Sequence, residues 1–184
     1  NISDVYQDGD FSNASVTQTG DENNSDVYQS RSTLSSSATV MQLSSGNMSE
    51  TSQSYGTEFS HINVTQSGGA LGYGDHTSSA IQRSATNSTA TIVQDGWTTD
   101  SVTFQTGDNN MIDVTQSGGW TTSDVYQDGN GNKATTTQHI GSWGSDSLIT
   151  QNGDSHTATV SQASAYGMST VIQSGFGNMA NVSQ

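Results

Sequence analysis

The sequence predicts an all-β fold: a two-sheet, parallel, in-register β-solenoid of the cross-β kind, with 16 strands in about 8 rungs. Three observations predict it. First, every glutamine falls in one register: Gln7, Gln18, Gln29, Gln42, Gln53, Gln66, Gln82, Gln94, Gln105, Gln116, Gln127, Gln138, Gln151, Gln162, Gln173 and Gln184. Ten of the fifteen intervals are eleven residues, and the others are twelve, thirteen or sixteen. Second, the residue four places before Gln is always Ser in odd units and Ala or Ile in even ones, so the true repeat is two strands long. Third, the segments between units are rich in Gly, Ser, Asn and Asp, and the chain has no proline. Every strand therefore keeps its N–H groups for a ladder.

Each unit is a seven-residue segment ending in Gln, from Asn1–Gln7 to Asn178–Gln184. Positions six, four and two before Gln, and Gln itself, share one strand face, because side chains alternate with period two. The position two before Gln is Val5, Val16, Val27, Val40, Val64, Ile92, Val114, Val125, Ile149, Val160, Val171 and Val182 in twelve units, and Thr51, Ala80, Thr103 or Thr136 in the rest. A strand of about seven residues and a turn of about four account for the common interval. Gly two places past Gln (Gly9, Gly20, Gly68, Gly96, Gly107, Gly118, Gly129, Gly153, Gly175) predicts a tight turn at positive φ. Residues 1–184 thus read as one domain of tandem strand–turn units, with odd strands stacked on odd and even on even.

Composition alone points elsewhere. Leu, Ile, Val and Phe make up 28 of 184 residues and the net charge is −14, which is the profile of a disordered chain. A solenoid resolves the conflict, since each rung packs only on its neighbours and identical polar side chains stack. Within such a core, identical residues recur at roughly 4.8 Å, so each Gln is expected to bond the Gln above and below it. Asn1, Asn23, Asn47, Asn110, Asn132 and Asn178 are expected to do the same at the opposite end of the strand.

Three basic residues (Arg31, Arg83, Lys133) against seventeen acidic ones leave nothing to neutralise phosphate, so no nucleic-acid partner is expected. No apolar stretch approaches the roughly 20 residues of a membrane helix, and no membrane insertion is expected. Outward positions of the odd strands carry Tyr6, Tyr28, Phe104 and Tyr126, a more aromatic face than the Thr- and Ser-rich even one. Trp97, Trp120 and Trp143 lie in successive even-to-odd turns and are expected to form a ladder on one edge, which the insertion from Ser67 to His76 interrupts. Asp4, Asp26 and Glu50 predict a column of like charge, with Asp124 further along, read as solubilising gatekeepers ahead of a calcium site. The four His residues share no ligand spacing, and no nucleophile–base set or paired-carboxylate cleft stands out. Neither catalysis, a metal nor any other cofactor is expected.

The unit Asn-x-Ala-x-Val-x-Gln-x-Gly closely resembles the curlin repeat. It is carried by Asn178-Met-Ala-Asn-Val-Ser-Gln184, Asn132-Lys-Ala-Thr-Thr-Thr-Gln138 and His156-Thr-Ala-Thr-Val-Ser-Gln162, and the register extends through all 184 residues. The chain has more units than the best-known members, and irregular ones at Glu50-Thr-Ser-Gln53 and Ser79-Ala-Ile-Gln82. The resemblance implies a secreted subunit of curli, functional amyloid fibres on the bacterial surface, with the strict register favouring the major subunit. It also implies a minor nucleator subunit, an outer-membrane secretion channel, periplasmic chaperones, and a role in biofilm matrix and adhesion.

The sequence opens on one core position, Asn1, and closes on another, Gln184, so both ends are expected to be uncapped strand edges. A top rung that accepts the bottom rung of another copy makes a contact that does not close, and a homopolymer grows end to end. The alternative is a monomeric ice-binding or adhesin β-solenoid. Its outward Thr array would be interrupted by Met41, Asn63, Val93 and Asp113.

Overall fold

The computed structural model describes residues 1–30, 33–68 and 75–184; Arg31 and the middle of the Ser67–His76 insertion lie outside these residues. Sixteen strands alternate between two parallel sheets. One sheet holds β1 (Ile2–Gln7), β3 (Asn24–Gln29), β5 (Met48–Ser54), β7 (Thr77–Thr86), β9 (Asp100–Asp108), β11 (Thr122–Asp128), β13 (Asp146–Asp154) and β15 (Met168–Phe176) in that order. The other holds β2 (Asn13–Gln18), β4 (Ser37–Gln42), β6 (His61–Gln66), β8 (Thr89–Gln94), β10 (Met111–Gln116), β12 (Lys133–Gln138), β14 (Thr157–Gln162) and β16 (Met179–Ser183). Each strand pairs with the next but one in sequence, giving a β-solenoid of eight rungs.

The register is the one the glutamines set. Val5 pairs with Val27 and Gln7 with Gln29, and the same columns run through the insertion, where Gln53 pairs with Gln82. A one-residue slip would move every inward side chain to the solvent face, so the alternation of Val, Ala and Ser with polar residues fixes it. The irregular units fall into line: Thr51 pairs with Ala80 inside the core, and the one register shift lies beyond Gln82, between Arg83 and Ala85 of β7.

Between the sheets lies a thin core in which Val27, Val40, Val64, Ile92, Val114, Val125, Ile149, Val160 and Val171 interleave with buried Ala. Three of the valines expected there sit differently. Val5 is 48 % exposed, and Val16 and Val182 are only partly buried against the core. These belong to the end rungs, which have a neighbour on one side only.

The turns depart from expectation in one respect. Gly20, Gly107, Gly129, Gly153 and Gly175 do adopt positive φ, but Gly9, Gly96 and Gly118 do not. At Gly96 the carbonyl of Gly118 on the next rung occupies the place a Cβ would take. Close approach of stacked backbones, and not φ, demands glycine there.

Candidate functional site

Inside the core the glutamines form two continuous ladders. In the odd column the Nε2 of Gln7 donates to the Oε1 of Gln29 at 2.7 Å, and the same bond repeats through Gln53, Gln82, Gln105, Gln127 and Gln151 to Gln173. The even column runs from Gln18 through Gln42, Gln66, Gln94, Gln116, Gln138 and Gln162 to Gln184. Every link points the same way, from the lower rung's amide nitrogen to the upper rung's oxygen.

The second N–H of each amide does different work. In most units it crosses the core to the carbonyl at the start of the preceding strand, as in Gln42 to Asn24, Gln105 to Thr89, Gln127 to Met111 and Gln151 to Lys133, while Gln7 and Gln53 bond the following turn at Ser12 and Ser60. One side chain therefore ties a rung both to the next rung and to the facing sheet. Only a primary amide of this length offers two donors and an acceptor from one planar group. That requirement explains a single residue type in sixteen positions.

The asparagine column proves to be a different device. Among the described residues side chain bonds side chain along this column where Asn47 Nδ2 donates to Asn23 Oδ1 at 3.0 Å and where Thr99 Oγ1 meets His76 Nδ1 at 2.9 Å. Elsewhere the side chain accepts the backbone N–H of the residue above it, and several residue types serve. In the even column Ser36, Ser60, Ser88, Asn110, Asn132 and His156 accept in turn from the N–H of Ser60, Ser88, Asn110, Asn132, His156 and Asn178. In the odd column Asn1 accepts from Asn23, Asn23 from Asn47, and Asn47 from His76. The Asn amides meanwhile hold turn carbonyls, as Asn110 holds those of Thr106 and Gly129 and Asn132 that of Gly153. What most members of the slot share is an acceptor, with Thr121 and Gly167 as exceptions. Sequence reasoning took Asn for the signal because it is the most frequent member, and passed over Ser and His that do the same work.

Both histidines in this relay are fully buried. His76 Nδ1 faces the N–H of Thr99 while its Nε2 lies 3.0 Å from the carbonyl of Ser67; His156 Nδ1 faces the N–H of Asn178 and its Nε2 the carbonyl of Asn152. These partners assign Nδ1 as the acceptor and Nε2 as the donor in each ring. Burial holds the His76 imidazole below its ordinary value of 6.5, against the opposing pull of the Ser67 carbonyl and of Asp95, Asp75 and Asp100.

On the outer odd face Asp4, Asp26 and Glu50 stand in register as one column. Asp124 is set apart, flanked in its column by Val102 and Leu148. Partial burial raises its carboxyl above 3.8, and Asp146 and Asp100 push it further the same way. Among the described residues no group of three or more His, Asp or Glu is arranged to hold a metal ion. Among the described residues no helix is long and apolar enough to cross a membrane. The Trp97, Trp120 and Trp143 rings do gather on one edge, but not as a parallel ladder. Trp143 meets Trp97 at 79° and Trp120 at 71°, because Trp97 pairs with Gly119 and the Trp143 ring packs over that glycine.

At the two ends the ladders stop with unequal chemistry. Among the described residues nothing donates to the Oε1 of Gln7 or Gln18 in the first rung. In the last rung Gln173 and Gln184 place one N–H on Thr157 and Met168 and have no rung above for the other. The first rung also exposes Ile2 and Val5, and the last exposes Met168, Ile172 and Met179.

The curlin associated repeat matches the chain twice, over residues 85–118 and 107–139. No curated protein matches it. The matched stretches cover the middle rungs, where the ladders are complete.

Proposed function

We propose that the chain is a structural subunit that polymerises end to end into extracellular amyloid fibres of the curli type, serving biofilm matrix and surface adhesion. The observation that carries this reading is the direction of the glutamine ladders. The last rung offers amide donors at Gln173 and Gln184, and the first rung offers amide acceptors at Gln7 and Gln18. First rung on first rung would leave acceptor against acceptor. The first rung of one copy on the last rung of another continues both ladders, with Val5 above Val171 and Val16 above Val182.

A nucleating minor subunit, an outer-membrane channel and chaperones are part of the same proposal, on the strength of the repeat. Such a fibre should give an axial reflection near 4.8 Å while β-structure and fibre mass rise together. Replacing Gln7 and Gln184 should slow seeded growth more than replacing the turn residues Asp21 and Asp108. Soluble, monomeric protein with full β-structure and no fibres would overturn the proposal.

A further inference from the structure

On the outer face of the odd sheet the aromatic file is interrupted at Ser52 and Ile81, and again beyond Tyr126 at Thr150 and Ile172. Tyr6 and Tyr28 stack at 5.0 Å with their planes 9° apart. The next position in that column is Ser52, followed by Ile81 and Phe104, so the stack ends with the upper face of Tyr28 uncovered. A cleft opens over Ser52 and Ser54, walled by Tyr28 below and by Tyr55 and Arg83 opposite, with Asp8 on its rim. The Arg83 guanidinium is held over two rings, 5.4 Å from Tyr55 and 5.9 Å from Phe104. Among the described residues neither that guanidinium nor the hydroxyls of Ser52 and Ser54 make a hydrogen bond. A flat aromatic face, a fixed fork of donors and two free hydroxyls therefore converge on a space one rung high.

The geometry points to a binding site for a neutral saccharide ring, seated on Tyr28 where Ser52 leaves the column without an aromatic ring. The apolar face of a sugar packs on an aromatic ring whose polar tip stays wet, while its hydroxyls take hydrogen bonds from Arg83 and exchange them with Ser52 and Ser54. An anionic ring fits less well, since Asp26 and Glu50 run along the same face and the chain carries a net charge of −14. A purely apolar ligand would strand the guanidinium and both hydroxyls.

The test is saturation-transfer NMR and calorimetric titration of the full chain with cellohexaose and maltohexaose, with an oligogalacturonate as the anionic control. Saturable binding of at least one neutral oligomer is expected, with Tyr28→Ala and Arg83→Ala each weakening it about tenfold, the scale of one lost aromatic or charged contact. Tyr126→Ala, on the same face but outside the cleft, should leave it unchanged. Ser52→Tyr should abolish binding while extending the tyrosine stack, so loss of fold cannot account for the result. No saturable binding of either neutral oligomer, tighter binding of the anionic one, or equal loss in Tyr126→Ala and Tyr28→Ala would each overturn the assignment.

Discussion

The same five residues, Ser-Asp-Val-Tyr-Gln, occur at Ser3–Gln7 in the first rung, Ser25–Gln29 in the second and Ser123–Gln127 in the sixth. They form strands of the same kind in the same sheet, yet their burial differs sharply. Val27 is 2 % exposed and Val125 is fully buried, whereas Val5 is 48 % exposed. Gln29 and Gln127 are sealed in the core, and Gln7 is open to solvent. Burial is thus not a property of the unit. It comes from a rung above and a rung below, and the end rungs lack one of them. Identical chemistry that is satisfied inside and unsatisfied in the end rungs is what the proposed end-to-end assembly rests on.

That contrast can be broken or sharpened by substitution. The largest effect is expected from Gln127→Glu, which removes both amide donors and places a carboxylate between Gln105 and Gln151. The soluble chain should lose about 3 kcal/mol or more by denaturant titration, the range for a buried polar group left without partners. Gln7→Glu loses the donor to Gln29 and Ser12, at a site open to solvent, and should cost about 1 kcal/mol in the same assay, yet slow fibre elongation because the joint would bury its charge. Next in size, Val125→Ala should cost about 2 kcal/mol through lost burial, and Val5→Ala far less until the fibre forms. Hydrogen exchange should show the equalisation directly, with amides near Val5 unprotected in the soluble chain and protected in fibres.

A smaller, pH-dependent effect is expected at His76. Its folded-state value is lowered, so the unfolded chain takes up the proton first, and stability should fall as the pH drops below 6.5. His76→Asn keeps an acceptor in the slot and should flatten that part of the stability profile; an unchanged slope would show that His76 is not the group responsible. The smallest change is a gain. Thr103 stands where twelve other units have Val or Ile, and its hydroxyl is buried without a partner. Thr103→Val should stabilise by about 1 kcal/mol, since it removes an unsatisfied polar group without changing shape.

How much of this was legible in the sequence follows from what repeats. Strand order, pairing register and the inward Gln column are all encoded in spacing, so the Gln53-to-Gln82 step across the insertion was readable despite its length. The acceptor relay was half readable. Its Asn members were visible, while Ser36, Ser60, Ser88, His76 and His156 were not, because a function met by several residue types leaves no column of one letter. The tilt of the tryptophans was hidden for a further reason. It depends on Trp97 pairing with Gly119, a turn register that the intervals between glutamines do not fix. The cleft over Ser52 was likewise invisible, since it is the absence of an aromatic residue from a column that is otherwise only loosely aromatic.

The central claim is that the ladders pass from one molecule into the next in a single direction. The most direct measurement is magic-angle-spinning NMR on fibres assembled from a mixture of 15N-labelled and 13C-labelled chains, reading only contacts between different copies. Contacts of Gln173 with Gln7 and of Gln184 with Gln18 are expected, together with Val171 to Val5. Contacts of Gln7 with Gln7, or of Gln173 with Gln173, would show like ends meeting and would contradict the account.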